Sequence, residues 1–430
     1  MNSSIVTIAS LQLRAHERDE FPKVWPQIVA EVRRIAACGA ELIVLPEGTV
    51  PAYVLGEDPV DGTQSEFALA AIMAVARETG TVIVFGAARC EGESVYNSAF
   101  VVDADGTLAG TADKQFLWHF DRQWFARGEI IEPIDTSIGR LGVLICADGR
   151  IPTISRRLVD RGAQILVMPT AWVTSGRDPS DLENVQADLL ASMRARENGV
   201  PFVVANKCGV ERGCVAYCGK SQIIDASGEV LSAGGQFEAQ SLIAEVALEP
   251  ARSPRAPLCE IATVTPVSMQ SRIAITPYEL SVSIEEDLRI LETTYLVGAD
   301  TLGAQSSIET AIPTLRANDA IVLDPGGLAA YKQAGYQLVI WQTSYDCEWQ
   351  TRIARARAVE LRLFLIVIHL GHAPRAYAID PDGTIVAGTY GEYRVASFSL
   401  DTARTSATLL APGTDVLEGL ARISSLKDRR

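Results

Sequence analysis

The sequence predicts a layered α/β fold built on a mixed β-sheet. Apolar runs of strand length alternate with segments whose apolar residues recur at helical spacing. Two hairpin signals interrupt that alternation. The chain of 430 residues also exceeds what one ordinary core accommodates, which points to two domains. Strands that alternate with helices, with hairpins between them, bury their apolar faces by stacking in layers.

The elements follow in order. Ile5–Leu13 reads as a strand. Trp25–Cys38 carries Ile28, Val32 and Ile35 at helical spacing and stops at Gly39. Glu41–Pro46 is a short apolar strand with Glu47 just past its end. Ser65–Thr79 is a second helix closed by Gly80, and Thr81–Ala87 is the next buried strand. Val95–Val102 and Thr107–Thr111 flank the turn Asp103-Ala-Asp-Gly106, and Lys114 follows that hairpin. Gly139–Cys146 is an apolar run ending in one cysteine, with Ala147, Asp148 and Gly149 turning the chain after it. Next come a helix over Ile154–Arg161, a strand over Gln164–Met168, a helix over Leu182–Asn198 and a strand over Phe202–Ala205. Ser221–Asp225 and Glu229–Ser232 form a second hairpin.

Composition limits the function classes. Hydrophobic content of 48% with 21% charged residues is that of a globular protein. A net charge of −15 without a Lys/Arg cluster argues against a nucleic-acid partner. Met1–Ser10 lacks a basic stretch followed by an apolar core, so no signal peptide is expected. The most apolar run, Leu361–Leu370, is broken by Arg362 and His369, so no membrane partner is expected either. Eight cysteines scattered over the chain fit a reducing cytoplasm better than a disulfide scaffold. Cys208, Cys214 and Cys218 cluster, but no CxxC pair or nearby His completes a zinc pattern, so no metal and no cofactor is expected.

Three strand ends carry chemistry. Glu47, Lys114 and Cys146 each lie at or just past one, where ligands gather in layered α/β folds. A thiol nucleophile needs a base for its proton and a cation for the developing oxyanion. A carboxylate and an ammonium supply both, and Lys114 beside the thiol is expected to favour thiolate.

Leu42-Ile-Val-Leu-Pro-Glu47, Asp113-Lys114 and Leu144-Ile-Cys146-Ala-Asp148 resemble the three catalytic motifs of the nitrilase superfamily of carbon–nitrogen hydrolases, in the same order. Trp124-Phe-Ala-Arg-Gly128 is similar to that family's aromatic-x-x-Gly segment. Gly162–Trp172, Arg194–Asn198, Ala205–Gly209 and Tyr217–Asp225 with Gly228 resemble its later segments, so the likeness spans about residues 4–248. The resemblance implies a four-layer α-β-β-α sandwich. It implies Cys146 as nucleophile, Glu47 as general base, and Lys114 with the Ala147 backbone N–H as oxyanion holders. It implies a small amide or N-carbamoyl substrate, hydrolysed by water through a thioester with release of ammonia or an amine. A nitrilase acting on nitriles, an acyltransferase, or a non-catalytic scaffold derived from a hydrolase are the alternatives.

The departures matter. Many members carry a second glutamate between the lysine and the cysteine; here Asp121 is the candidate second carboxylate. Asp148 resembles the Cys-x-Asp of amidase and carbamoylase branches, which favours amides over nitriles. Pro152-Thr153 stands where the family often has Pro-Glu. Tyr53, Trp118, His119, Trp124, Asp148 and Trp172 are the candidate substrate-pocket residues.

The catalytic domain is placed at 1–250 and a Pro-rich linker at 251–265. Residues 266–430 echo the first part: Ala334–Thr343 resembles Arg161–Thr170, Arg355–Glu360 resembles Arg194–Asn198, and Ala378–Gly388 resembles Ile223–Ala233. This predicts a shortened second nitrilase-like copy. Ile321-Val-Leu-Asp324 could align with either the Glu47 strand or the Cys146 strand, but no cysteine follows it and no lysine hairpin matches. The copy is therefore expected to be catalytically inactive and to form an intrachain pseudo-dimer, alone or within a larger homo-oligomer.

Overall fold

The computed structural model describes residues 4–426 except 58, 61, 175–177, 179, 251–253, 257–260, 279–294, 299–307, 346–347 and 391–392. Its chain divides into Met1–Arg255 with Ala411–Thr414 and Leu426–Arg430, and Ala256–Leu410 with Asp415–Ser425. Among the described residues no helix is long and apolar enough to cross a membrane, and no group of His, Cys, Asp and Glu gathers in a way that could hold a metal ion.

The first unit begins with β1 (Ser4–Arg14), α1 (Phe21–Ala36), β2 (Leu42–Val44), α2 (Thr63–Thr79), β3 (Val82–Glu91), β4 (Ser94–Val102) and β5 (Leu108–Asp113). It continues with β6 (Ile134–Thr136), β7 (Gly139–Val143), α3 (Pro152–Asp160), β8 (Ile165–Pro169), α4 (Ala191–Asn198) and β9 (Phe202–Ala205). It closes with β10 (Lys207–Glu211), β11 (Val215–Cys218), β12 (Gln222–Ile224), β13 (Val230–Ala233) and β14 (Gln240–Leu248). One sheet runs β11-β10-β1-β2-β3-β4-β5 with β14 also on β1; the other runs β13-β12-β9-β8-β7-β6.

The two sheets lie face to face. Ser10 Oγ on β1 donates to the Val204 carbonyl on β9 at 2.7 Å, across the interior. β2, β8 and β9 are buried along their whole length, as strands covered on both faces must be, which is why they read as unbroken apolar runs. Trp25, Ile28, Val32 and Ile35 of α1 join Ala68, Ile72 and Val75 of α2 in the core over the first sheet. α3 and α4 cover the second sheet, which completes the α-β-β-α sandwich. Two predicted boundaries move. The long helix starts at Gln186 rather than Leu182, because Asn184 Oδ1 takes the Gln186 N–H at 2.9 Å and opens a π turn over Gln186–Leu190. The cysteine strand ends at Val143, and Cys146 opens a one-turn helix, Cys146–Arg150.

The second unit has β15 (Gln270–Ile275), β16 (Tyr295–Val297), β17 (Thr314–Ala317), α5 (Asp319–Leu323), α6 (Gly327–Gln333), β18 (Leu338–Thr343) and α7 (Trp349–Leu361). After them come β19 (Phe364–His369), β20 (Arg375–Ile379), β21 (Ile385–Gly388) and β22 (Ala396–Asp401). β15 lies parallel to β16 and antiparallel to β22, as β1 lies parallel to β2 and antiparallel to β14. The order β17-β18-β19-β20-β21 repeats β7-β8-β9-β12-β13 in its strand directions.

Registers repeat as well. Leu141 faces Ile165, and Thr314 faces Leu338, a separation of 24 residues in both. A register shift between Ile223 and Ile224 recurs between Ala378 and Ile379. In the turns that follow, Asp225 Oδ1 takes the N–H groups of Ser227 and Glu229, and Asp380 Oδ1 takes those of Asp382 and Thr384. Arg194 Nε donates to the Gly149 carbonyl at 2.8 Å, and Arg357 Nε donates to the Val322 carbonyl at 2.8 Å. Ile321–Leu323 is helical, not a strand, because α5 takes the place of the one-turn helix Cys146–Arg150. Five residues past Leu141 stands Cys146; five residues past Thr314 stands Asp319.

Candidate active site

Three buried charges form the floor of the site. β2 ends at Val44, and the chain stays paired with β3 through Leu45 N–H to Val84 O and Gly86 N–H to Pro46 O. Residue 86 must be glycine, since a Cβ there would lie 2.6 Å from both Glu47 Cα and the Pro46 carbonyl oxygen. This close approach sets Glu47 just past the end of β2, a central strand, and fully buried. Lys114 follows β5; its N–H donates to Asn97 O and its carbonyl accepts from Gly128 N–H. A side chain at 128 would collide with Asp113 and Gln115, which explains the aromatic-x-x-Gly segment.

Lys114 Nζ lies 2.7 Å from Glu47 Oε1 and 2.6 Å from Asp121 Oδ2, with all three side chains shut off from solvent. Asn97 Nδ2 also donates to Glu47 Oε1, at 2.7 Å. Among the described residues, Glu47 Oε2 has no nitrogen or oxygen donor. Asp121 is fixed by the Tyr53 hydroxyl at 2.9 Å and the Trp118 N–H at 2.8 Å. Burial disfavours the Lys114 ammonium, but Asp121 and Glu47 outweigh it and hold its pKa well above the usual value. Burial raises the Glu47 carboxyl; Lys114 pulls it down and Asp121 pushes it up.

Cys146 is buried beside Glu47, with φ at +49°, a left-handed backbone that a cysteine seldom adopts. Burial and the Glu47 charge push its thiol up to about 12, against the pull of Lys114, the Thr170 hydroxyl and the Ala171 N–H. Lys114 does favour the thiolate, as expected, but burial and Glu47 outweigh it, so at neutral pH the group is a thiol next to a carboxylate oxygen that has no other donor among the described residues. Such a pair can pass a proton when the sulfur attacks. Ala147 follows in the first turn of the one-turn helix, where N–H groups have no intrahelical acceptor.

The predicted pocket residues separate into two sets. Trp118 is half-buried and carries the Arg150 guanidinium 4.9 Å from its ring centroid. Trp124 is half-buried and braces the Val50–Pro59 loop through Nε1 to Gly56 O at 2.8 Å. The other four are corrected. Tyr53 stands behind Lys114, its hydroxyl committed to Asp121. His119 is exposed, with its ring edge-on to Phe120 and its N–H donating to Thr414 Oγ1 at 2.7 Å. Trp172 is fully buried. Asp148 uses one oxygen for the N–H groups of Gln115 and Phe116 and the other for Ile145 N–H, so it ties the Lys114 strand end to the Cys146 turn. Burial raises its carboxyl to about 7. An aspartate used this way, buried and taking three backbone N–H groups, braces the site rather than presenting itself to a substrate.

Four residues escape the sequence reading. Asn97 sits on β4, in a run that signals only a strand. Gln186 donates its side-chain N–H to the Cys146 carbonyl at 2.9 Å and accepts Trp172 Nε1 at 3.1 Å, with its amide oriented to satisfy both. Thr170 lies just past β8. Arg150 stacks on Trp118, and among the described residues no acceptor pairs with its guanidinium. It is packed all round yet keeps some solvent contact, and burial lowers its pKa to about 10, so it stays charged at neutral pH. Only Arg150 had a sequence signal, a cation four residues past the cysteine.

The carbon-nitrogen hydrolase family matches residues 7–256. A nitrilase of Pyrococcus abyssi is 31% identical over 234 residues, covering 52% of this chain and 83% of that protein. An (R)-stereoselective amidase of a Pseudomonas species is 29% identical over 218 residues, covering 49% of this chain and 75% of the amidase. Among solved structures, the carbon–nitrogen hydrolase of Helicobacter pylori G27 superposes with a TM-score of 0.51 at 25% identity, covering 56% of this chain and 89% of its own. An amidase of Nesterenkonia sp. AN1 superposes with a TM-score of 0.51 at 26% identity, covering 57% of this chain and 90% of its own. That structure holds the acetamide moiety of fluoroacetamide added covalently at the active-site cysteine. Through residues 7–256, this chain belongs to the carbon–nitrogen hydrolase family of the nitrilase superfamily.

Proposed function

We propose that the first unit hydrolyses the carbon–nitrogen bond of a small amide through a thioester on Cys146. The observation that carries this reading is the buried Lys114 ammonium bridging Glu47 and Asp121, with Glu47 Oε2 left without a donor beside the thiol. Sγ attacks the carbonyl carbon while Glu47 Oε2 takes the thiol proton. An ammonium has three N–H donors; Glu47 and Asp121 take two, and the third meets the oxyanion together with the Ala147 N–H. Collapse breaks the C–N bond, and the leaving nitrogen takes the proton from Glu47. Glu47 then takes a proton from water, hydroxide adds to the thioester, and the acid leaves as the thiol is restored. A reducing compartment such as the cytoplasm keeps that thiol available.

The proposed substrate carries an anionic group. A guanidinium with no acceptor among the described residues, stacked on Trp118 and four residues past the nucleophile, supplies the charge that a substrate carboxylate would match. Ammonia release from carboxylate-bearing amides, neutral amides, N-carbamoyl compounds and nitriles, read for wild type and Cys146→Ala, tests both points. Release from acidic amides that vanishes in Cys146→Ala is expected, with an acyl adduct on the Cys146 peptide after acid quench. Release that survives Cys146→Ala overturns the mechanism.

We propose further that the second unit is a shortened, inactive copy of the first. The repeated strand order, the separation of 24 residues and the shared register shift support descent from one fold. Asp319 stands where the nucleophile would be. Among the described residues of this unit there is no counterpart of the β3-β4-β5 hairpins that deliver Lys114. The position matching Glu47 falls outside the described residues.

A further inference from the structure

Thr170 is a fully buried hydroxyl whose Oγ1 meets no nitrogen or oxygen partner among the described residues. Its backbone is fixed, since its N–H donates to Ala205 O at 2.8 Å. Strand register brings it to the nucleophile. Leu141 faces Ile165 and Val143 faces Val167, Leu144 N–H donates to Val167 O at 3.0 Å, and just past these paired ends the Thr170 hydroxyl lies close enough to Cys146 to act on its thiol. Buried hydroxyls nearly always find a partner, so one left idle next to a reacting atom points to a partner that forms during the reaction.

We propose that the Thr170 hydroxyl is a catalytic hydrogen-bond donor to Cys146 Sγ, holding the sulfur as thiolate character develops and leaving the thiol proton to Glu47. This rests on the reading of Cys146 as the nucleophile. The second unit supplies an independent view of the same register. There Thr343 occupies the Thr170 position, Asp319 occupies the Cys146 position, and Thr343 Oγ1 donates to Asp319 Oδ1 at 2.5 Å. When the facing residue is a carboxyl side chain, this threonine donates to it. In the first unit the charge is transient, so the donor waits. The effect of Thr170 on the Cys146 thiol is in the same direction, favouring the anion. Thr170 keeps its own proton throughout; it lowers the energy of the anion without taking part in proton transfer.

The test is the alkylation rate of Cys146 by iodoacetamide in the full chain, read by mass spectrometry of its peptide across pH. Thr170→Val keeps the shape and removes the donor. It should slow alkylation at neutral pH roughly 10- to 100-fold, the range for a hydrogen bond to a charged group, and move the pH profile upward. Thr170→Ser should retain the wild-type rate and profile, which a packing role for the methyl would not allow. Wild-type rate and profile in Thr170→Val overturn the proposal. If that variant does not fold, as read by its thermal melt, Thr170→Ala against Thr170→Ser gives the same comparison. A wild-type Cys146 that resists alkylation at every pH instead removes the nucleophile itself, and this proposal falls with it.

Discussion

Asp121 reaches Lys114 at 2.6 Å although its side chain is one methylene shorter than the glutamate expected at this position. The backbone supplies the missing length: residues 119–123 form a 3-10 turn that brings Asp121 inward, and the Tyr53 hydroxyl and Trp118 N–H hold it there. Asp121 also raises the Glu47 carboxyl through its charge. Glu47 must be ionised to accept the thiol proton, so activity should rise with pH through its pKa. Asp121→Asn removes the repulsion, lowers that pKa and should shift the acid limb of kcat/KM to lower pH while reducing its plateau. An acid limb that stays in place in Asp121→Asn contradicts this coupling.

Arg150 should discriminate by substrate charge. Arg150→Gln is expected to lower kcat/KM for a carboxylate-bearing amide by roughly 10- to 100-fold, the loss of a charge-assisted bond, with little change for a neutral amide of equal size. Equal losses on both substrates would assign Arg150 a structural role.

Asp148 should matter for stability rather than for substrate choice. Asp148→Asn places an amide N–H₂ against one of the three backbone N–H donors, at a cost of about 1–3 kcal/mol. A lowered thermal midpoint with an unchanged ranking of amides over nitriles is expected. A reversed ranking with unchanged stability would return Asp148 to the substrate.

His16 predicts acid sensitivity. Burial and then Lys207 lower its pKa to about 4, so it stays neutral in the folded chain while the unfolded chain takes up a proton near 6.5. Between those values the unfolded state binds more protons, so this group destabilises the fold as pH falls from about 6.5 toward 4. Nε2 lies 2.9 Å from Pro51 O, and Glu211 works against the shift. His16→Gln should flatten that part of the thermal midpoint against pH; an identical slope excludes His16 as its source.

Asp319→Cys offers a direct check on the second copy. Placed in a Cys146→Ala background, it restores a thiol at the matching register but no lysine hairpin. No ammonia release is expected, and recovered hydrolysis would refute the assignment of this unit as inactive.

What the sequence determined is local. Apolar runs covered on both faces, such as Leu42–Val44 and Ile165–Pro169, read as interior strands, and Glu47, Lys114 and Cys146 were singled out because each follows a strand end in a familiar order. The proposal of a duplication began in the sequence, where Ala334–Thr343 repeats the apolar rhythm of Arg161–Thr170. The tertiary structure decided the rest, because pairing is set by register and by burial, which no single segment encodes. Asp148 and Trp172 sit among the motifs and yet turn inward to backbone and core. Asn97, Thr170 and Gln186 carry no motif and reach the site only because β4, β8 and the π turn end beside it. The resting protonation of Cys146 was likewise decided in three dimensions: Lys114 is close, but exclusion of water and the neighbouring Glu47 charge outweigh it.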